Sequence, residues 1–167
     1  TYAFVQVAVP SREQVPAYQQ LRTDIEQIVG RINGEFGEPG WVPVSYLYRT
    51  IPFEELIAYY VAADVMLVTP LRDGMNLVAK EYVASRFEDD GVLVLSEFAG
   101  AAEQLRAALI VNPYDVDSVA QTLAYATTMP AGEQARRMRR LRSTVRKADV
   151  FEWAAECLAT LESGDRT

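Results

Sequence analysis

Two short runs of apolar residues constrain the fold of this chain more than any other feature. The segments DVMLVT (64–69) and VLVLS (92–96) are almost continuously apolar and lack the alternation of a strand with one face in water. Strands of this kind are typical of a parallel sheet covered by helices on both faces. Helical patterns follow both runs, so the sequence predicts an α/β protein with a Rossmann-like parallel sheet and flanking helices.

Apolar and turn-forming residues predict the other elements. A Ser11–Gln14 capping box and the loop GEFGEPG (34–40) are expected to bound a long first helix. Its apolar stripe comprises Val15, Tyr18, Leu21, Ile25, Ile28, Val29 and Ile32. Further strands are expected at 2–9, 44–49 and 108–111, and further helices at 53–63, 76–88, 99–105, 116–129, 132–148 and 150–161.

Right-handed crossovers bring every strand-to-helix turn of such a sheet to its carboxyl edge, where ligands bind. Four turns are therefore expected to share one edge. They are the segments 10–12, 50–52, 70–76 and 97–99.

The composition excludes several classes of function. With 167 residues, of which 50% are hydrophobic, the chain can bury a sizeable core, which we expect to form one domain. The net charge of −7 disfavours general nucleic-acid binding. The absence of histidine excludes a His-based triad, a His general base and a His-containing zinc site within this sequence.

Cysteine usage and hydropathy indicate the compartment. Cys157 is the single cysteine, so an internal disulfide is excluded, and its apolar helical surroundings favour a core thiol. No apolar run approaches the roughly 20 residues of a membrane helix, and no signal-peptide pattern opens the sequence. We expect a cytoplasmic protein without nucleic-acid or membrane partners, and a homo-oligomer is left open.

One strand-to-helix turn is far more polar than packing requires. Within TPLRDGMNLVAKEYVA (69–84), Asp73, Gly74 and Asn76 precede a helix whose first amides can bind phosphate. Gly74 allows a close backbone approach or a positive φ. Asp73 would repel phosphate but can accept hydrogen bonds from sugar hydroxyls, and Glu81 can accept from a ribose diol. The predicted ligand therefore has phosphate at its centre and hydroxyls at both ends, as a sugar nucleotide does.

A purely structural interpretation is open at this point. Asp73 or Asn76 can cap the helix, and Gly74 can simply make the turn. Neither the dinucleotide fingerprint nor the P-loop motif occurs in the sequence.

The segment TPLRDGMNLVAKEYVA resembles the signature of the trehalose-6-phosphate synthase family, which comprises retaining glycosyltransferases of the two-Rossmann-domain GT-B architecture. The segments QVAVPSR (6–12), VGRINGEFG (29–37), LVLSEFAGAAEQL (93–105) and ALIVNPYD (108–115) resemble the same family in the same order. The resemblance covers most of the C-terminal, nucleotide-sugar-binding domain of that family.

The resemblance also implies roles for individual residues. Asp73 matches the carboxylate that binds the donor glucose, and it is the candidate catalytic residue. Glu81 matches the acid that holds the ribose, Arg12 the arginine that binds the acceptor phosphate, and Ile51 the position whose main chain recognises the base. The remaining donor-binding positions lie along the turn and the helix start: Gly74, Met75, Asn76, Leu77 and Val78.

The implied reaction transfers glucose from UDP-glucose, or another nucleotide-glucose, to glucose 6-phosphate with retention. The resemblance implies neither a cofactor nor a metal. Two alternatives stay open: a pseudoglycosyltransferase relative that uses an aminocyclitol phosphate acceptor, and a non-catalytic module that binds a nucleotide-sugar. Because a carboxylate at the edge of a sheet supports no core, Asp73→Ala is expected to abolish transfer and leave the fold intact.

The sequence opens within a predicted strand, so we expect it to be part of a longer protein. Residues 1–149 are expected to form the nucleotide-sugar-binding domain without its start. Residues 150–167 are expected to form a helix that packs toward the absent N-terminal domain. Without that domain we expect no turnover.

Three other signals favour structural roles. The arginine-rich stretch 136–147 is expected to be a solvated helix face with Met138, Leu141 and Val145 inward, although a nucleic-acid or membrane patch is the alternative. DVDS (115–118) resembles a phosphatase D-x-D motif but follows a turn, which favours a helix start. Tyr59, Tyr60, Trp41 and Trp153 have no spacing beyond that of core packing.

Overall fold

The computed structural model describes residues 2–11, 14–147 and 158, and its element order confirms the α/β prediction. The strands are β1 (Phe4–Ala8), β2 (Val44–Tyr48), β3 (Val65–Val68), β4 (Val92–Ser96) and β5 (Leu109–Val111). The α-helices are α1 (Pro16–Phe36), α2 (Phe53–Ala62), α3 (Leu77–Ser85), α4 (Val116–Thr127) and α5 (Ala131–Lys147). A short 3₁₀ helix, Gly100–Glu103, lies between β4 and β5.

The chain divides into two compact units, Thr1–Glu55 and Leu56–Thr167. The strands pair in two parallel sheets, β1 with β2 and β3–β4–β5, whereas the sequence predicts one. Periodicity marks each strand but does not reveal its spatial neighbours, which accounts for the difference. The predicted domain boundary at 149–150 stays a prediction, because the helix expected at 150–161, including Cys157 and Trp153, lies outside the described residues except for Leu158.

In the first unit, the Asn33 side chain joins the long helix to a strand by two hydrogen bonds. Phe4 of β1 is in register with Val44 of β2. The Asn33 side chain of α1 donates to the Val44 carbonyl at 2.8 Å and accepts from the Val44 N–H at 3.0 Å. This pair of bonds fixes where β2 begins.

The ends of α1 differ from the prediction. Val15 is the N-cap residue, no side chain caps the helix, and Pro16 occupies the first turn, so the Ser11–Gln14 capping box is wrong. Proline has no backbone N–H that needs an acceptor. The helix therefore begins at Pro16, later than the Ser11–Gln14 spacing predicts. Most of the apolar stripe is exposed, and among the described residues of this unit no side chain is fully buried.

The second unit holds the core, with β4 at its centre between β3 and β5. Every residue of β4 is buried, as the continuous apolar run predicts. Leu93 and Leu95 pack with residues of α3 and α5, whereas Val92 and Val94 pack with Val111 and with residues of α4. Burial on both faces explains why the strand shows no alternation.

A buried cation ends α3 at Ser85, three residues before the predicted end. Arg86 is only 4% exposed. Its guanidinium donates to the carbonyls of Tyr60 and Val61 and pairs with Asp90 Oδ2 at 2.6 Å. Arg86 itself has the non-helical backbone angles φ −88° and ψ 75°, so the helix ends before it.

The arginine-rich helix packs as predicted. Met138 and Leu141 are buried, and Val145 packs against the same core. Arg142 pairs with Asp89 Oδ1 at 2.7 Å, and Arg137 donates to the Ala107 carbonyl at 3.1 Å. These contacts confirm the solvated face with an apolar inner stripe.

The DVDS segment begins a helix, as predicted. Asp115 is the N-cap residue of α4, and its Oδ1 accepts from the Ser118 N–H at 3.0 Å. In the described part of the chain, no helix is both long and apolar enough to span a membrane.

Candidate functional site

The turn that follows β3 is tied by its main chain to the segment that follows β4. The Asp73 N–H donates to the Phe98 carbonyl at 3.2 Å, and the Gly100 N–H donates to the Asp73 carbonyl at 2.9 Å. A third bond, of 2.6 Å, joins the Ala101 N–H to the Met75 carbonyl. Two of the four predicted edge turns therefore meet, while the shared edge of all four stays a prediction.

Gly100 permits this close approach and was not singled out from the sequence. A Cβ atom at Gly100 would lie 2.1 Å from the Gly74 carbonyl oxygen, far inside van der Waals contact. The segment FAGAA contains the residue, but nothing in its spacing shows that another backbone passes there. Glycine at this position lets the two turns pack main chain against main chain.

The left-handed residue of the turn is Asn76 and not Gly74. Asn76 has φ 77° and ψ 89°, whereas Gly74 has no positive φ. Asparagine tolerates this region better than other residues with a side chain. A Cβ atom at Gly74 would meet no atom within 4 Å, so its backbone remains open to close approach, the other role expected for it.

Asn76 also caps α3, as the structural interpretation of this turn allows. Its Oδ1 accepts from the Ala79 N–H at 2.9 Å. The next two residues, Leu77 and Val78, are exposed and begin the helix, so their N–H groups have no intrahelical acceptor. These two amides give the helix start its capacity to bind an anion.

Asp73 is half-buried, and its carboxylate shapes the turn. Oδ1 accepts from the Met75 N–H at 3.0 Å, and Oδ2 accepts from Asn76 Nδ2 at 3.0 Å. Each carboxylate oxygen can accept a further hydrogen bond. The side chain therefore has a structural role and retains capacity for ligand hydroxyls.

Glu81 lies just over one turn into α3 and is half-buried. Its Oε2 accepts from the Tyr60 hydroxyl at 3.0 Å. Burial, followed by this bond to a carboxylate, raises the pKa of Tyr60 above its ordinary value, so the hydroxyl keeps its proton into the alkaline range. Sequence reasoning assigned Tyr60 to core packing, and the periodicity of buried aromatics carries no sign of the hydrogen bond.

The structure thus gathers Asp73 to Val78 and Glu81 along one turn and one helix. Ile51 is half-buried in the other unit, between β2 and α2, and Arg12 lies outside the described residues. Across the described ranges, no three Cys, Asp or Glu side chains are grouped to hold a metal ion.

The model of glycosyltransferase family 20 matches residues 1–163. This chain belongs to glycosyltransferase family 20. The trehalose-6-phosphate synthase of Mycobacterium avium is 60% identical over 163 residues, which are 97% of this chain and 33% of that protein. This chain therefore spans about a third of the length of the curated relatives that it matches.

Solved structures of family 20 relatives match the fold. A UDP-forming trehalose-phosphate synthase from Burkholderia xenovorans, in complex with glucose-6-phosphate, has TM-score 0.92 and 45% identity, over 96% of this chain and 36% of that one. An E. coli relative bound with UDP-2-fluoro glucose has TM-score 0.89 and 48% identity, over 95% of this chain and 35% of that one. These structures confirm the predicted GT-B fold class.

Proposed function

We propose that this family 20 chain is the donor-binding part of a trehalose-6-phosphate synthase. The whole protein transfers glucose from UDP-glucose to glucose 6-phosphate with retention, which gives trehalose 6-phosphate and UDP. The observation that carries the proposal is the Asp73–Asn76 turn, held by backbone bonds to 98–101 at the start of α3. Relatives of the same family bind UDP-2-fluoro glucose and glucose-6-phosphate, which supports both substrates.

The start of α3 binds the donor diphosphate. The Leu77 and Val78 amides donate to phosphate oxygens, and the helix dipole favours the negative charge. This charge grows as the bond to UDP breaks, so preorganised amides stabilise the transition state more than the ground state. Gly74 and Met75 lie against the diphosphate and the glucose, where the open backbone of Gly74 permits contact.

Asp73 holds the glucose hydroxyls. Its carboxylate is oriented by the Met75 N–H and the Asn76 amide and therefore meets the sugar in one geometry. Charge-assisted hydrogen bonds from hydroxyls to a carboxylate are stronger than neutral ones. The residue thus contributes to catalysis by orienting the anomeric carbon toward the acceptor.

The other ligand groups follow the family pattern. Glu81 accepts from the ribose hydroxyls, the main chain at Ile51 contacts the uracil, and Arg12 pairs with the phosphate of glucose 6-phosphate. Arginine suits this last role, because its guanidinium binds phosphate bidentately.

The reaction uses no protein nucleophile, cofactor or metal in this proposal. The bond from the glucose anomeric carbon to UDP breaks, and a bond to the acceptor hydroxyl oxygen forms on the same face. The acceptor proton moves to the departing phosphate oxygen. Positioning and charge stabilisation supply the catalysis.

The whole protein, incubated with UDP-glucose and glucose 6-phosphate, is expected to release UDP and form an α,α-linked product that NMR identifies. Arg12→Ala is expected to raise the KM for glucose 6-phosphate and leave UDP-glucose affinity unchanged. Binding of UDP-glucose without product would overturn the synthase assignment in favour of a sensor module. If product formed with an aminocyclitol phosphate as the acceptor but not with glucose 6-phosphate, the protein would instead be assigned the pseudoglycosyltransferase reaction.

A further inference from the structure

We propose that Tyr60 is a positioning residue for donor binding, because its hydroxyl holds the Glu81 carboxylate in the orientation that receives the ribose diol. This inference rests on the proposed function, which gives Glu81 the ribose.

The geometry of the pair supports this role. The Tyr60 hydroxyl donates to Glu81 Oε2 at 3.0 Å. Tyr60 is 3% exposed, whereas Glu81 is half-buried and reachable by a ligand. The terminal torsion of a glutamate is soft, so a hydrogen bond to one oxygen restricts the plane of the carboxylate. Oε1, which has no hydrogen-bond partner among the described residues, and the second lone pair of Oε2 stay available to two adjacent hydroxyls.

The position of Tyr60 is itself fixed by its surroundings. Its carbonyl accepts from Arg86 Nη1 at 3.2 Å, and that guanidinium is buried. Its ring meets the Tyr82 ring edge to face, with centroids 6.5 Å apart. The Tyr60 hydroxyl is therefore presented from a rigid support, and Glu81 loses less freedom when the donor binds.

The consequence is a specific effect on the donor. A ribose diol gains from a preoriented carboxylate, whereas the acceptor sugar and the anomeric centre do not contact Glu81 in the proposed complex. Loss of the Tyr60 hydroxyl should therefore weaken recognition of the ribose and leave the chemical step unchanged.

The test compares Tyr60→Phe with Tyr82→Phe in the whole protein. Both substitutions delete a buried tyrosine hydroxyl, but the hydroxyl of Tyr82 bonds to a carbonyl and not to Glu81. We expect Tyr60→Phe to raise the KM and Kd for UDP-glucose about 3- to 10-fold, within the range of one hydrogen bond. We expect kcat and the KM for glucose 6-phosphate to stay near wild type. Tyr82→Phe should leave the donor KM unchanged.

A second readout isolates the ribose. The preference for UDP-glucose over 2′-deoxyuridine diphosphate glucose should fall in Tyr60→Phe and be unaffected in Tyr82→Phe. In a Glu81→Ala background, Tyr60→Phe should have little further effect, because the acceptor that Tyr60 orients is gone.

The outcomes separate this inference from the proposed function. If Glu81→Ala leaves UDP-glucose affinity unchanged, the ribose role of Glu81 is wrong, and neither proposal keeps the ribose contact. If Glu81→Ala weakens donor binding but Tyr60→Phe does not, only the positioning role is wrong. A Tyr60→Phe effect of equal size with and without Glu81 would also overturn it, because the hydroxyl would then act through another group.

Discussion

The Asp73 carboxylate accepts a hydrogen bond of 3.0 Å from the Asn76 side chain, and Asn76 in turn accepts one of 2.9 Å from the Ala79 N–H. The candidate catalytic carboxylate is therefore linked to the cap of α3, the helix that we propose binds the diphosphate. A displacement of Asp73 would change the orientation of the cap as well as the sugar contact.

Asp73→Ala is expected to lower kcat at least 100-fold, because the glucose loses a charged acceptor near the reacting carbon. It should also lower the free energy of unfolding by about 1 kcal/mol, since two hydrogen bonds within the turn are lost. From the sequence alone, this substitution is expected only to leave the fold intact. Glu88→Ala, which removes an exposed carboxylate beyond α3, is the control for both quantities. Wild-type turnover in Asp73→Ala would contradict the catalytic role.

Asn76 combines a cap with a left-handed backbone, and two substitutions separate these features. Asn76→Ala should lower the free energy of unfolding by about 2 kcal/mol, because alanine neither caps the helix nor favours positive φ. Asn76→Gly should lower it by less than half as much, since glycine tolerates that backbone. Urea unfolding of the whole protein measures both. Equal losses would show that the backbone conformation contributes little.

Gly100→Ala should displace the Asp73–Asn76 turn, because the added methyl group would lie 2.1 Å from the Gly74 carbonyl oxygen. We expect a loss of stability of about 1–3 kcal/mol, as for other overpacked sites. UDP-glucose affinity should fall about 10-fold as the turn moves, an expectation scaled from the loss of one charged hydrogen bond. Titration calorimetry measures the affinity.

Gly132→Ala is the matched control for that variant. A Cβ atom there meets nothing within 4 Å, and the residue lies in α5, where alanine is favoured over glycine. It should leave donor affinity unchanged and raise stability slightly. A Gly100→Ala protein with wild-type affinity and stability would mean that the two turns are not in contact.

The stability of the second unit should fall at alkaline pH. Burial raises the pKa of Tyr82 from 10.0 to about 12. Above pH 10 the unfolded chain loses this proton while the folded chain keeps it, so the stabilisation is complete below pH 10 and is lost as the pH rises to 12. The full loss is about 2–3 kcal/mol. Between pH 8 and 12, the urea concentration at the unfolding midpoint should fall less steeply in Tyr82→Phe than in the wild type. Equal slopes would contradict the raised pKa of Tyr82.

The residues that sequence reasoning identified well are those whose role depends on near neighbours in the chain. Asp115 begins a helix, Met138 and Leu141 face inward, and Asp73 and Asn76 lie at the start of α3. In each case the cause is a local spacing or a residue preference. The α3 end was missed, because Arg86 is held by carbonyls 25 and 26 residues away.

By itself, the sequence determined the α/β class, the two-faced burial of β4, the family resemblance and the turn that carries the candidate site. These features depend on hydrophobic periodicity and on helix-start chemistry, both of which act over a few residues. Only the tertiary structure revealed the approach of Gly100 to Gly74 and the bond from Tyr60 to Glu81. Contacts between distant segments depend on how strands and helices pack, and no local pattern encodes which backbones or side chains meet.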